Sequence, residues 1–198
     1  MRIGFRGELL DEREIRVGHI GCGSHSFRHL FPTYQFAHVQ LAATCDLKVE
    51  RARAYAKQFG AGSHYADYQE MIEREDLDAV VICTGYDAQG RPSYPALTVD
   101  CLRAGCHVWM EKPPAASCAE VEAMQEAERE SGKFCMVGLK TMFFPANEKA
   151  LELMSREDFG RLSLVTTQRP MRIPPKEELE AYILQGEPVD ARVETGAT

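Results

Sequence analysis

IRVGHIGCGSHS, residues 15–26, decides the fold: a short apolar, β-branched run enters a turn with two glycines, Gly21 and Gly23, one residue apart. Such a run suits a strand covered on both faces. In a strand-to-helix turn that holds a dinucleotide, the first glycine makes the tight bend and the second lets the backbone approach the diphosphate. Ser26 stands where a third glycine would let helix and strand pack closely, so the pattern is G-x-G-x-x-S. On these twelve residues alone a phosphate-binding turn and a plain glycine-rich turn stand level.

Downstream, short apolar runs at 39–45, 79–83, 107–110 and 134–137, with a brief one at 63–65, alternate with amphipathic stretches. That alternation predicts βαβ units and a mainly parallel sheet. Residues 49–59 place Val49, Ala52, Ala56 and Phe59 on one helical face, with Gly60 as the stop. Asp67 with Glu70 and Ser117 with Glu120 have capping-box spacing, so helices begin at Tyr68 and Cys118, the second ending at Gly132. A further helix spans 95–104 before Gly105, and 86–93 (YDAQGRPS) is a loop between a strand end and a helix start. After Gly138 come one helix at 145–154, one alternating strand at 161–167 and a proline-rich, charged tail at 169–198. One helix and one strand cannot form an independent core. The expected organisation is an N-terminal arm (1–14), a Rossmann-type doubly wound domain (15–138) and the start of a second domain (139–198), apparently truncated.

The chain has 198 residues, with 23 lysines and arginines against 30 aspartates and glutamates, a net charge of −7. Without a basic cluster, nucleic acid is not an expected partner. No apolar run reaches the length of a membrane span. The charged opening stretch lacks the apolar core of a secretory signal, so a cytoplasmic location is expected. Seven cysteines, scattered and without C-x-x-C spacing, read as reduced thiols, and no metal site is expected.

Exposed amides at the helix start after Gly23 would bind a diphosphate without a basic cluster, which reconciles an anionic ligand with an acidic protein. Asp46, 25 residues after Gly21, is either the carboxylate for a ribose 2′-hydroxyl or a helix N-cap. In the first role it favours NAD over NADP, since a 2′-phosphate about 5 Å away costs on the order of 3 kcal/mol at an effective dielectric of about 20. Lys48 or Arg51 swinging in would offset that repulsion. Glu111-Lys112-Pro113 follows the 107–110 strand at the carboxyl edge of the sheet, where open α/β folds bind ligands. Lys112 could there donate to a substrate hydroxyl or carbonyl, or be half of a surface ion pair.

The ordered set VGHIGCGSHS, CDLKVERARAYAKQFG, VVICTG, AGCHVWMEKP and MVGLKTMFFP resembles the N-terminal half of the Gfo/Idh/MocA oxidoreductases over about residues 15–168. The AGxHVxxEKP segment is the most specific part. The resemblance implies a Rossmann domain that binds NAD(P), followed by an α/β domain whose large, mostly antiparallel sheet completes the substrate site and the oligomer interface; the part of that domain present here would be incomplete. It implies Gly21, Gly23, Ser24 and His25 at the pyrophosphate turn, Asp46 on the adenosine ribose, Thr84 along the cofactor cleft and Glu111 near the nicotinamide ribose. Lys112 would be the catalytic residue that binds or polarises the reacting hydroxyl. The implied activity is hydride transfer between nicotinamide and a secondary alcohol or ketone of a sugar, polyol or related small molecule, in a homo-oligomer if the second domain is complete. Three departures accompany it. Thr84-Gly85 replaces Thr-Pro and a longer loop follows; Tyr94 falls where that loop usually carries a histidine; and no D-x-x-x-H acid/base motif occurs in the second-domain part of the chain. His25, His29 and His38 lie too early to supply it by motif. Lacking that base and half the pocket, the truncated chain taken alone is expected to lose turnover far more than NAD binding. The alternative function is a non-catalytic NAD-binding or protein-interaction module.

Overall fold

The computed structural model describes residues 14–166 together with Gln168 and Pro175. These fall into two compact units, 14–138 and 139–166. The first holds a six-stranded, wholly parallel sheet: β1 (Ile15–Ile20), β2 (Val39–Cys45), β3 (Ser63–Tyr65), β4 (Ala79–Ile82), β5 (His107–Met110) and β6 (Cys135–Val137). Spatial order is β3-β2-β1-β4-β5-β6, so the winding reverses between β1 and β4, and the crevice at that reversal is where doubly wound sheets take ligands. Val17, Ile20, Val80, Ile82, Val108 and Met110 are buried, as expected for strands covered on both faces.

Helices α1 (Val49–Phe59), α2 (Tyr68–Arg74), α3 (Tyr94–Arg103) and α4 (Cys118–Ser131) connect the strands. Gly60 ends α1 with φ +79°, a left-handed conformation that a side chain would strain. The buried face of α1 is Ala52, Tyr55 and Ala56, rotated from the expected one: Val49 is exposed, while Phe59 joins an aromatic cluster. At α4 the capping box is complete, Ser117 accepting from Glu120 N–H and Glu120 from Ser117 N–H. At α2 only half of it forms, because Asp67 caps Gln69 N–H.

After Gly23 the backbone departs from a regular α-helix. Two α-helical residues, Ser24 and His25, lead into a π-helical stretch, Ser26–Leu30, and then a 3-10 helix, Phe31–Phe36. Pro32 has no N–H for the α ladder, so the α pattern cannot run through it. Packing replaces regularity: Phe31 stacks on Phe59 with ring centroids 4.6 Å apart and meets Tyr55 edge-on at 5.1 Å. Cys22 and Leu41 close this cluster beneath the turn.

In the second unit, a 3-10 turn (Lys140–Phe143), α5 (Pro145–Met154) and a further 3-10 turn (Glu157–Phe159) bury no residue. The strand expected at 161–167 does not form. Residues 161–166 carry no regular structure and are exposed, and Thr167 lies outside the described residues. Alternation alone cannot hold a strand; it needs a ladder partner, and among the described residues none pairs with this segment. Residues 1–13 of the expected arm and nearly all of the 169–198 tail also lie outside the described residues. No described helix is long and apolar enough to cross a membrane.

Candidate cofactor site

The residues just past the strand ends are stitched into one edge by ladder hydrogen bonds. Gly21 N–H donates to Cys45 C=O at 2.8 Å, Cys83 N–H to Ile20 C=O at 2.8 Å, and Glu111 N–H to Ile82 C=O at 3.1 Å. The chain therefore delivers Gly21, Asp46, Thr84 and Glu111 to the same end of the sheet.

At Gly21, φ is +97°, and a Cβ there would overlap the carbonyl oxygen of Cys83. This glycine is required by the approach of β1 to β4 as well as by the bend. Gly23 C=O accepts from Phe27 N–H at 3.0 Å and from Tyr55 Oη at 3.2 Å. The amides of residues 24 and 25, which are partly exposed, precede that first helical hydrogen bond and stand where helix starts leave donors for an anion, whereas Ser26 is fully buried.

Asp46 is one-tenth exposed and bridges three groups. Its Oδ2 accepts Cys22 N–H at 2.9 Å, its Oδ1 accepts Lys48 N–H at 2.9 Å, and Arg51 Nη1 lies 3.6 Å from Oδ2. The helix N-cap reading of Asp46 does not hold: the N-cap of α1 is Lys48, which makes no side-chain cap bond, and at the helix entrance Asp46 accepts only the N–H of that residue, ahead of the helix, while lining a cleft. That cleft, about 590 Å³, is bounded by Gly21, Gly23, Asp46, Leu47, Arg51, Tyr68, Thr84, Tyr86 and Leu97. Thr84 Oγ1 is buried without a hydrogen-bond partner. An orphaned hydroxyl, a carboxylate and a glycine-lined turn around a mostly apolar slot, with Lys48 and Arg51 at its wall, fit an adenine dinucleotide.

Ser24, His25, Glu111 and Lys112 do not line this cleft. Glu111 is 2% exposed and joins two other candidates: Oε1 meets His25 Nε2 at 2.9 Å, and Oε2 lies 3.9 Å from Lys112 Nζ. Lys112 itself is exposed, and the Lys112–Pro113 peptide is cis. Tyr94, in the place of the loop histidine, is buried and donates its hydroxyl to Thr84 C=O at 3.0 Å. It braces the loop. Two arrangements escaped sequence reasoning. The His25–Glu111 contact joins residues 86 apart, and a buried His19–Ser26–Tyr34 cluster lies under the turn. For the second, the histidine inside an apolar strand run was the one available signal.

None of the described cysteines forms a disulfide. Burial, then the Asp46 charge, raises the Cys22 thiol, and burial with Asp46 pushes Cys45 up to about 12. Both stay protonated and unreactive at neutral pH. Among the described residues no group of three His, Cys, Asp or Glu side chains is placed to hold a metal ion.

A family model described as an oxidoreductase family with an NAD-binding Rossmann fold, GFO_IDH_MocA, matches residues 15–139. The chain belongs to this family. Among Gfo/Idh/MocA relatives, it is 31% identical over 134 residues to 4-carboxy-2-hydroxymuconate-6-semialdehyde dehydrogenase of Sphingobium sp., covering 68% of this chain and 41% of that one. It resembles the solved WlbA dehydrogenase of Chromobacterium violaceum, in complex with NADH and UDP-GlcNAcA, at TM-score 0.66 and 25% identity, covering 76% of this chain and 42% of that one. It also resembles KijD10, a 3-ketoreductase of Actinomadura kijaniata in complex with NADP and TDP-benzene, at TM-score 0.62 and 26% identity, over 72% and 42% of the two chains. In each case this chain spans less than half of the other protein's length. The expected family and the expected Rossmann-type sheet are both borne out.

Proposed function

We propose that this protein is an NAD-dependent oxidoreductase acting on a secondary alcohol or its ketone in a sugar, polyol or related small molecule. One observation carries the reading: the glycine turn, Asp46 and Thr84 converge on a single cleft at the sheet reversal, with Glu111 and Lys112 one strand further along the same edge. The solved relatives with NADH and a sugar nucleotide, and with NADP, support the cofactor and substrate classes.

In this reading the amides after Gly23 take the diphosphate and Asp46 takes the adenosine ribose hydroxyls. Bound nicotinamide supplies or accepts the hydride. Lys112 donates a hydrogen bond to the reacting oxygen and stabilises its alkoxide character, while the proton that this oxygen loses on oxidation or gains on reduction is exchanged with an acid/base group that no motif of this chain supplies. Glu111 anchors the ammonium stem from its buried side and lies near the nicotinamide ribose. NAD is preferred to NADP because Asp46 repels a 2′-phosphate, although Arg51 beside it narrows the margin. The seven free thiols are consistent with a cytoplasmic enzyme. Homo-oligomer formation is assigned to the second unit, whose exposed Phe143, Phe144, Leu151 and Phe159 are apolar surface suited to association.

Titration calorimetry of the 198-residue chain with NADH and NADPH tests the reading, with a panel of sugars and polyols for turnover. Micromolar NADH binding, tighter than NADPH, is expected. Absence of NADH binding at millimolar concentration overturns it.

A further inference from the structure

Ser26, the residue at the third-glycine position, has its hydroxyl turned into the fold. Ser26 Oγ donates to Gly21 C=O at 2.5 Å, and His19 Nε2 lies 3.1 Å from both that oxygen and Ser26 Oγ. Across the ring, His19 Nδ1 is 2.6 Å from Tyr34 Oη. His19 and Ser26 are fully buried, and burial lowers the His19 pKa to about 3, so the ring is neutral at working pH.

A neutral imidazole carries one N–H, and the partners decide which nitrogen holds it. The Gly21 carbonyl can only accept, so Nε2 bears the hydrogen and Nδ1 accepts from Tyr34 O–H. In the other tautomer, Nε2 and the Gly21 oxygen would meet lone pair to lone pair. With this assignment the Gly21 oxygen accepts twice, once from His19 and once from Ser26, and the cluster is satisfied throughout. The other end of the same peptide unit, Cys22 N–H, donates to Asp46 Oδ2 at 2.9 Å. A single peptide plane, Gly21–Cys22, is therefore clamped at both ends.

The clamp answers a specific weakness. A glycine offers no Cβ to resist rotation of the peptide that follows it, so the turn needs restraint from outside. Restraint built in beforehand removes an ordering cost that would otherwise weaken binding. Ser26 also opens the π-helical stretch, a local irregularity often found at functional sites. We propose that His19 and Ser26 are positioning residues for the dinucleotide: they hold the Gly21–Cys22 peptide so that the amides after it face the diphosphate. The inference rests on the cleft being a dinucleotide site.

The test compares NADH with adenosine, which shares the adenosine ribose but carries no phosphate. In Ser26→Ala, which removes one oxygen, the Kd for NADH is expected to rise about tenfold, the weight of one buried hydrogen bond, with adenosine affinity within about twofold of wild type. The 31P resonances of bound NADH should shift. His19→Gln, whose amide can still donate to Gly21 C=O, should retain most NADH affinity, whereas His19→Leu should not. If His19→Leu does not fold, Ser26→Ala still decides. Unchanged NADH affinity and 31P shifts in Ser26→Ala overturn the proposal, as does an equal loss for NADH and adenosine, which would mean general loosening. Wild-type protein that binds neither ligand overturns the cofactor reading itself and the clamp with it, a failure visible before any variant is made.

Discussion

Asp46 Oδ2 accepts the amide hydrogen of Cys22 at 2.9 Å, so the carboxylate after β2 is bonded to the glycine turn after β1 before any ligand arrives. Arg51 Nη1 sits 3.6 Å from that same oxygen. Replacing Asp46 by asparagine keeps an acceptor for Cys22 but removes the negative charge and leaves the guanidinium beside the ribose pocket. We expect Asp46→Asn to move the NADH to NADPH preference at least about tenfold toward NADPH. Asp46→Ser should narrow the preference and also weaken both cofactors, since the tether is lost. Paired titrations with the two cofactors measure this; a ratio that stays put in both variants would reduce Asp46 to a tether of the Cys22 and Lys48 amides.

Gly21 and Gly23 should fail in different ways. A side chain at Gly21 meets the Cys83 carbonyl and a left-handed backbone, so Gly21→Ala should cost about 3 kcal/mol of stability in urea unfolding. Gly23 borders the cleft, and Gly23→Val should abolish NADH binding while the chain stays folded by circular dichroism. Undiminished NADH affinity in Gly23→Val would remove the diphosphate from this turn.

Strands of this sheet were legible because burial on both faces writes them as apolar runs, and α1 because Gly60 ends it. The meeting of Gly21, Asp46 and Thr84 at one cleft was legible because one strand end or one turn carries each of them. The site was illegible where contacts join distant segments. Nothing in spacing couples His25 to Glu111, and Ser26 read as a defect in a glycine pattern until His19 and Tyr34 were seen to bracket it. Pro32 was a visible break in the segment after the turn, but the aromatic packing of Phe31 on Phe59 is tertiary. The 161–167 alternation misled because period two states which face a residue would take, not whether a neighbouring strand exists.

Buried His19 makes stability depend on acid. Its pKa falls from 6.5 when unfolded to about 3 when folded, chiefly through desolvation. Between those values the unfolded chain binds a proton that the folded chain does not, so stability rises with pH across the window. The contribution is fully present above about 6.5 and drains away toward 3, at about 1.4 kcal/mol per pH unit. His19→Gln should flatten the curve of unfolding free energy against pH by that slope between pH 6 and 4. Parallel wild-type and variant curves would show that His19 does not titrate this way.

Glu111 is the buried member of a three-residue contact, with His25 on Oε1 and Lys112 on Oε2. Lys112 is more than half exposed, and its 3.9 Å pairing is open to solvent screening. Lys112→Ala should therefore change stability by less than about 1 kcal/mol and NADH affinity by less than about threefold. In the proposed mechanism its effect belongs to turnover, because a donor to the reacting oxygen acts in the transition state: kcat should fall at least about a hundredfold. Lys112→Arg keeps the charge but replaces a compact ammonium with a planar fork, and should recover little of that loss. Glu111→Gln instead leaves the ammonium without its buried partner and should affect nicotinamide binding and turnover together. Steady-state kinetics beside NADH titration separates the two cases. A Lys112→Ala protein with wild-type kcat would take the lysine out of the chemistry and leave it as half of a surface ion pair.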